Sequence, residues 1–292
     1  MKAPSTPLAI RIITHNIRYA TPTPTCGEEP WPLRLPKLLS SLRFNTLHNA
    51  PSLICLQEVL HSQLHDLLHG LNALSPGETW SHIGTGRDDG AQAGEYNPIL
   101  YRASVWSVSH ARTLWLSPTP DRPSTGWDAA SRRILTQGVF RHRESGLRLV
   151  ALNTHLDDQG AVARARAAGL IVEVARGWTP GPAELALFLA GDFNCEVGQE
   201  AFRILNGVES PLRELRELVE EGARYGDVST FTGFDGEGDG EGLRRIDFLF
   251  VGDKSKTWWK AKGYAVLENR FEDGVYASDH RAVVGDLELL PQ

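Results

Sequence analysis

The sequence predicts an α+β fold in which two packed β-sheets are covered by helices, and three observations carry that prediction. Short runs rich in leucine and β-branched residues recur along the 292-residue chain, at strand rather than helix length. Helical spacing separates only some of them, which suits sheet packed on sheet with helices outside. No linker and no repeat at solenoid period divides the chain, so residues 1–292 read as one domain with a flexible N-terminus at 1–7.

The elements follow in order. Residues 8–18 are β-branched and read as a strand ending near Asn16. Pro22 and Pro24 make 21–27 a loop, because proline removes a ladder donor. Residues 33–49, with leucines at 35, 38, 39 and 42, have helical spacing behind Pro32. A buried strand at 51–59 ends in Gln57-Glu58, and 61–74 is helical again. Short strands at 80–84 and 97–102 flank a loop at 84–95 carrying Gly84, Gly86, Gly90 and Gly94, expected to be mobile.

Residues 105–116 predict another strand, and 117–130 a proline-rich loop. Strands at 134–141 and 147–154 flank Gly146, a hairpin signal. The alanine-rich, proline-free stretch 161–175 predicts a helix. After an apolar strand at 185–195, helices are expected at 198–206 and 212–221, then strands at 245–251, 263–267 and 282–289. The acidic loop 235–242 has Ile246 where a calcium loop needs a bidentate glutamate, so no metal is assigned to it.

Composition removes several function classes. A formal net charge of −6 and a pI near 5.9 give no global basic field for duplex DNA. Three cysteines, Cys26, Cys55 and Cys195, are too few for a disulfide framework and suit a reducing compartment. The N-terminus has no apolar signal region, and no window approaches the roughly 20 apolar residues of a membrane span. The expected location is cytoplasmic.

The stretch 187–195 concentrates the chemistry: an apolar run halts at Gly191-Asp192-Phe193-Asn194, setting a carboxylate and a carboxamide two residues apart. The pattern of apolar strand and polar end recurs at Asn16, Glu58, Asn153 and His155, Asp247, and Asp279-His280. Strand ends of this kind can converge on one rim of a sandwich. Taken singly, Asp192 or Glu58 reads as a capping carboxylate and His155 as a structural histidine. Together they form an oxygen-rich set without cysteine, which selects a hard cation, Mg²⁺ or Mn²⁺, over Zn²⁺. Metal-assisted hydrolysis of a phosphate ester is the chemistry such a set suggests.

Gln57-Glu58, Asn153-Thr154-His155, Gly191-Asp192-Phe193-Asn194, Arg245-Ile246-Asp247 and Ser278-Asp279-His280 resemble, in this order, the motifs of the endonuclease/exonuclease/phosphatase superfamily. The resemblance spans residues 8–289 and implies a four-layer αββα sandwich of two mainly antiparallel sheets. It also implies roles: Glu58 holding the divalent metal with Asn16 and Asp279, Asp192 orienting or deprotonating the attacking water, and Asn194 donating to a phosphoryl oxygen. His280 would lie against the scissile phosphate with Asp247 behind its ring, and His155 would add a donor from the opposite wall.

Substrate is read from the loops. Residues 94–102 and 127–136 resemble one branch of the superfamily, which carries Trp where this chain has Gln137. Asn97 with Tyr96, Asn153, Arg18 and the pair Arg132-Arg133 are candidate substrate contacts, an arginine being able to meet a phosphate bidentately. Trp258-Trp259, between Lys256 and Lys260, reads as packing at a strand start in preference to base stacking or lipid contact. The acidic charge favours a small phosphate ester or sugar phosphate as substrate. Single-stranded nucleic acid is the alternative, a catalytically silent scaffold the second, and no protein partner is inferred.

Overall fold

The computed structural model describes residues 6–74, 77, 79–178, 185–240, 242–252 and 258–291. Residues 1–5 of the expected flexible N-terminus lie outside them. In chain order the first elements are β1 (Leu8–Asn16), α1 (Trp31–Thr46), β2 (Leu53–Gln57), α2 (His61–Leu74), β3 (Trp80–Ile83) and β4 (Ile99–Arg102). Then come β5 (Trp106–Trp115), β6 (Ile134–His142), β7 (Arg148–His155), α3 (Ala161–Arg176), β8 (Ala186–Asp192) and α4 (Glu200–Asn206). The chain closes with β9 (Leu212–Glu214), α5 (Leu215–Leu218), β10 (Arg224–Gly226), β11 (Asp247–Gly252), β12 (Trp259–Val266) and β13 (Val283–Leu289).

Strands that are apolar at nearly every position need cover on both faces, and four layers supply it. Alternate residues of one strand divide between two cores. Ile12, Leu53, Cys55, Phe188 and Ala190 face inward between the sheets. Ile13, Ile54 and Leu56 face outward onto α1 and α2, and Leu187 and Leu189 onto α3 and α4. The first sheet has the order β10-β12-β13-β1-β2-β4-β3 and the second β5-β6-β7-β8-β11-β9. Among the described residues, β1–β2, β10–β12 and β7–β8 are the parallel ones of eleven strand pairs, so the sheets are mixed and mainly antiparallel.

Three expectations need correction. Helical spacing at 212–221 gives only the four residues of α5, because residues 212–214 pair with the edge of β11 instead and Glu214 N–H donates to Asn206 Oδ1 at 2.9 Å. Tertiary pairing here overrides local spacing. The three-residue β10 carries no periodic signal and was not expected, and β12 begins at Trp259, ahead of residue 263. The glycine-rich loop is internally bonded rather than loose: the N–H groups of Gly86, Arg87 and Asp88 donate to the carbonyls of Ala91, Glu95 and Ala93 at 3.0 Å each.

Trp258-Trp259 is packing. Trp259 is buried between the sheets with Nε1 donating to the Leu187 carbonyl at 3.0 Å, and half-buried Trp258 rests on the same core. Lys256 lies outside the described residues. In the acidic loop, exposed Asp235 and Asp239 accept backbone N–H groups of Glu237, Asp239 and Phe234; residue 241 lies outside the description. No described helix is long and apolar enough to cross a membrane.

The inter-sheet core should dominate stability. Phe188, fully buried, is expected to cost about 3–5 kcal/mol as Phe188→Ala, whereas Phe44, exposed on α1, should change stability by less than about 0.5 kcal/mol as Phe44→Ala. Urea titration of both variants measures the difference.

Candidate active site

Backbone register alone gathers the polar residues. His155 of β7 pairs with Asp192 of β8, which pairs with Asp247 at the start of β11, so three ionisable side chains lie in one row across the second sheet. Gly191 permits the approach: a Cβ there would sit 2.2 Å from the Thr154 carbonyl oxygen. In the first sheet Asn16 pairs with Gln57, and β13 runs antiparallel to β1 with Val283 opposite Thr14. Asp279 and His280, just ahead of β13, therefore reach the same rim.

Side chains then join the two sheets. Asn16 Nδ2 donates to Glu58 Oε1 and to Asp192 Oδ2, both at 2.9 Å, and its Oδ1 accepts the Arg18 N–H at 3.0 Å. Glu58 Oε2 accepts the Tyr19 N–H at 3.2 Å. Asp192 Oδ1 accepts the Asn194 N–H at 2.9 Å, closing a tight turn in which Asn194 has φ +45°. His280 shares a hydrogen bond of 2.8 Å between Nδ1 and Asp247 Oδ2, and its Nε2 lies 3.7 Å from Asp192 Oδ2. Ser278 Oγ lies 2.6 Å from the Asn16 carbonyl and 3.1 Å from Asp279 Oδ1, and its single proton serves one of the two.

The two histidines differ in charge. Burial alone would lower His280, but the Asp247 and Asp192 carboxylates outweigh it and push the ring up to about 10, making it an imidazolium. Burial, with the positive charges of Arg133 and Arg87, holds His155 well below its ordinary value, so that ring is neutral. Asn194 Nδ2 lies 3.0 Å from the Leu156 carbonyl and 2.9 Å from His155 Nε2. A carbonyl only accepts, so the amide nitrogen donates to both and His155 carries its proton on Nδ1. Neither Asn194 nor His155 Nε2 therefore presents a free donor to the cleft in this arrangement, contrary to the expected pair of donors.

Negative charge is concentrated on the other side. Burial and the nearby Asp247 raise Asp192 to about 7. Asp279 is raised to about 6 by burial, relieved partly by His280 and reinforced by Glu58. Glu58 and Asp279 offer only oxygen, so the donor set fits a hard divalent cation. Asn16 serves chiefly as the connector between Glu58 and Asp192. Asp192, Asp247 and His280 also present atoms within 4.8 Å of one another, but the His280 cation already balances that group, and an ion there would have to displace its proton.

Glu58, His155, Asp192, Asn194, Asp279 and His280 floor a cleft of about 710 Å³, walled by Arg18, Arg87, Glu95, Arg133, Asp239 and Arg244 among others. Arg133 pairs with Asp157 and Asp158, and Arg18 with Glu28. Asn97 and Asn153 do not act as expected. Asn97 Nδ2 donates to the Ile134 carbonyl at 3.0 Å. Fully buried Asn153 donates to the carbonyls of Leu56 and Pro98 and accepts from Gln57 Nε2 at 2.7 Å. Their amides satisfy buried backbone rather than face a ligand.

Four of the five described non-glycine residues with left-handed φ border the cleft: Arg18, Glu58, Asn194 and Asp239. Strain of this kind concentrates where geometry is over-determined. Sequence reasoning missed Arg87 and Glu95, which the glycine loop presents, and Arg34, fully buried on α1. Arg34 donates to the carbonyls of Ile17 at 2.8 Å, Ala277 at 3.0 Å and Arg18 at 3.1 Å, tying the segment after Asn16 to the one before Asp279.

Comparison with known proteins agrees with this geometry. The model of the Endonuclease/Exonuclease/phosphatase family matches residues 13–280. An endonuclease/exonuclease/phosphatase from Bacteroides vulgatus is 31% identical, with TM-score 0.82 over 97% of this chain and 99% of that one. A mannosyl-6-phosphatase from Bacteroides thetaiotaomicron is 28% identical, with TM-score 0.80 over 95% and 99%. TDP2 from D. rerio, solved with a single-strand DNA product, shares the fold at 18% identity and TM-score 0.68 over 96% and 98%. No curated protein matches. By fold, by the family match and by the residues gathered at its rim, the chain belongs to the endonuclease/exonuclease/phosphatase family.

Proposed function

We propose that the protein is a divalent-metal-dependent hydrolase of phosphate esters whose substrate is a small molecule of the sugar-phosphate class. The observation that carries this reading is the buried Asp247–His280–Asp192 row beside the Glu58 and Asp279 carboxylates, in one cleft. It joins a fixed cation, a proton acceptor and an oxygen-only cation site. Each contributes to phosphoryl transfer to water.

Glu58 and Asp279, with Asn16 between Glu58 and Asp192, would hold Mg²⁺ or Mn²⁺, which when bound supplies positive charge to the phosphoryl oxygens. Asp192 Oδ2 orients the attacking water and takes its proton, a task suited to a carboxylate raised to about 7. His280 donates its Nε2 proton to a nonbridging oxygen, and Asp247 fixes the ring through Nδ1. Asn194 braces His155 and reaches a phosphoryl oxygen only by exchanging that bond. Arg18 and Arg133 border the entry.

The substrate class follows from two supports. The mannosyl-6-phosphatase is similar over nearly the whole chain, and a cleft of about 710 Å³ is of the size that encloses a small ligand, about 300–1,000 Å³. A cytoplasmic location remains the expectation from the cysteines.

Hydrolysis of a panel of phosphate esters should cease in EDTA and return with Mg²⁺ or Mn²⁺. Undiminished turnover in chelator contradicts the reading. Asp192→Asn and His280→Ala should each lower kcat by about 10²–10³-fold while the thermal midpoint stays near that of the parent. Faster cleavage of single-stranded oligonucleotides than of any small ester would make the protein a nuclease. Absence both of turnover and of calorimetric Mg²⁺ or Mn²⁺ binding would make it a silent scaffold.

A further inference from the structure

We propose that the Arg87–Glu95 ion pair, with Arg133 beside it, forms a subsite for the hydroxyl groups of a polyol phosphate on the His155 side of the cleft. This deepens the reading of the protein as a phosphate-ester hydrolase and rests on it. Arg87 Nη1 lies 2.8 Å from Glu95 Oε2, with the two side chains only 17% and 14% exposed. Both residues line the cleft, as does Arg133. The Arg133 and Arg87 charges are felt at His155, so the group stands beside the reacting centre rather than at a remote edge.

The pairing decides what can bind. Arg133 Nη2 donates to Asp158 Oδ1 at 2.6 Å and its Nε to Asp157 Oδ2 at 3.3 Å. With Glu95 answering Arg87, each of the two guanidinium groups on this wall already has a carboxylate partner in the cleft, and Asp157 holds Arg133 from behind. A second phosphate would find both guanidinium groups already partnered. A hydroxyl donates and accepts at once, so it can bridge an ion pair, giving its proton to the carboxylate and accepting from the guanidinium without charge mismatch.

The loop holds this pair ready. Arg87 N–H donates to the Glu95 carbonyl at 3.0 Å, and Trp115 Nε1 donates to the Arg87 carbonyl at 2.7 Å. Gly86 permits the close turn, since a Cβ there would lie 2.3 Å from the Ala93 carbonyl oxygen. A pre-formed pair loses little freedom on binding, which favours it as a reader of hydroxyl geometry.

The test compares kcat/KM for a hexose 6-phosphate with that for phenyl phosphate, which offers no hydroxyl. The parent should prefer the sugar ester, and Glu95→Gln should lower the ratio of the two values by about 10- to 100-fold, the worth of hydrogen bonds to a charged group. Should that variant not fold, Arg133→Lys, which keeps the charge and loses the fork, should lower the same ratio. An unchanged ratio, or a hexose bisphosphate turned over tenfold better than the monophosphate, overturns the subsite. Ligand-observed NMR with the unphosphorylated hexose reads the subsite without turnover: saturation transfer from the parent to the hexose, lost in Glu95→Gln, supports it, and none from the parent contradicts it. A parent that binds the hexose but hydrolyses no ester would refute the proposed function and leave the subsite standing.

Discussion

Everything at the rim depends on one carboxamide. Asn16, at the end of a strand of the first sheet, places both hydrogens of its amide, one on Glu58 of its own sheet's neighbourhood and one on Asp192 of the second sheet. A buried amide must satisfy these hydrogens, and it does so only when the two sheets stand at a single separation. Gln57 and Asn153 make a second bridge across the same gap at 2.7 Å. The two bridges turn a packed interface, which apolar side chains would leave adjustable, into a fixed frame for the carboxylates.

Within that frame the charges are stabilised by one another. His280 is buried between Asp247 and Asp192, and an unpaired imidazolium at that depth would give up its proton. Asp247 thus holds a cation where burial opposes one, and His155, next to arginines instead of a second carboxylate, stays neutral. Two histidines of one rim are driven apart by their neighbours, which is how a site divides work between similar groups. The left-handed φ values at Glu58 and Asn194 belong to the same arrangement: the turns that aim these side chains are strained, and the apolar cores on both faces of each sheet hold them in place.

Much of this was legible in the sequence because the cause was local. An apolar run followed by a polar residue marks a strand end, and Asn16, Glu58, His155, Asp192, Asp247 and Asp279-His280 were found that way. What was lost depended on distant partners. Asn153 has the same strand-end signature, yet its amide is consumed by the opposite sheet, and a carboxamide's orientation has no sequence signal. Arg34 looks like any helical arginine until the segments on either side of Asn16 and Asp279 fold onto it. Glycines announced a loop at 84–95 but not its internal bonding, which comes from Trp115 and the loop's own backbone. At 212–221 a sheet edge claimed residues that helical spacing assigned elsewhere.

The proposed function divides the rim, with a cation site on the Glu58–Asp279 side and proton chemistry on the Asp192–Asp247–His280 side. Crystals grown in Mn²⁺ and measured for anomalous scattering test it most directly. An anomalous peak is expected within coordination distance of the Glu58 and Asp279 carboxylates, with Asp247 still bonded to His280. A peak enclosed by Asp192, Asp247 and His280, or none at the rim under saturating Mn²⁺, would contradict it.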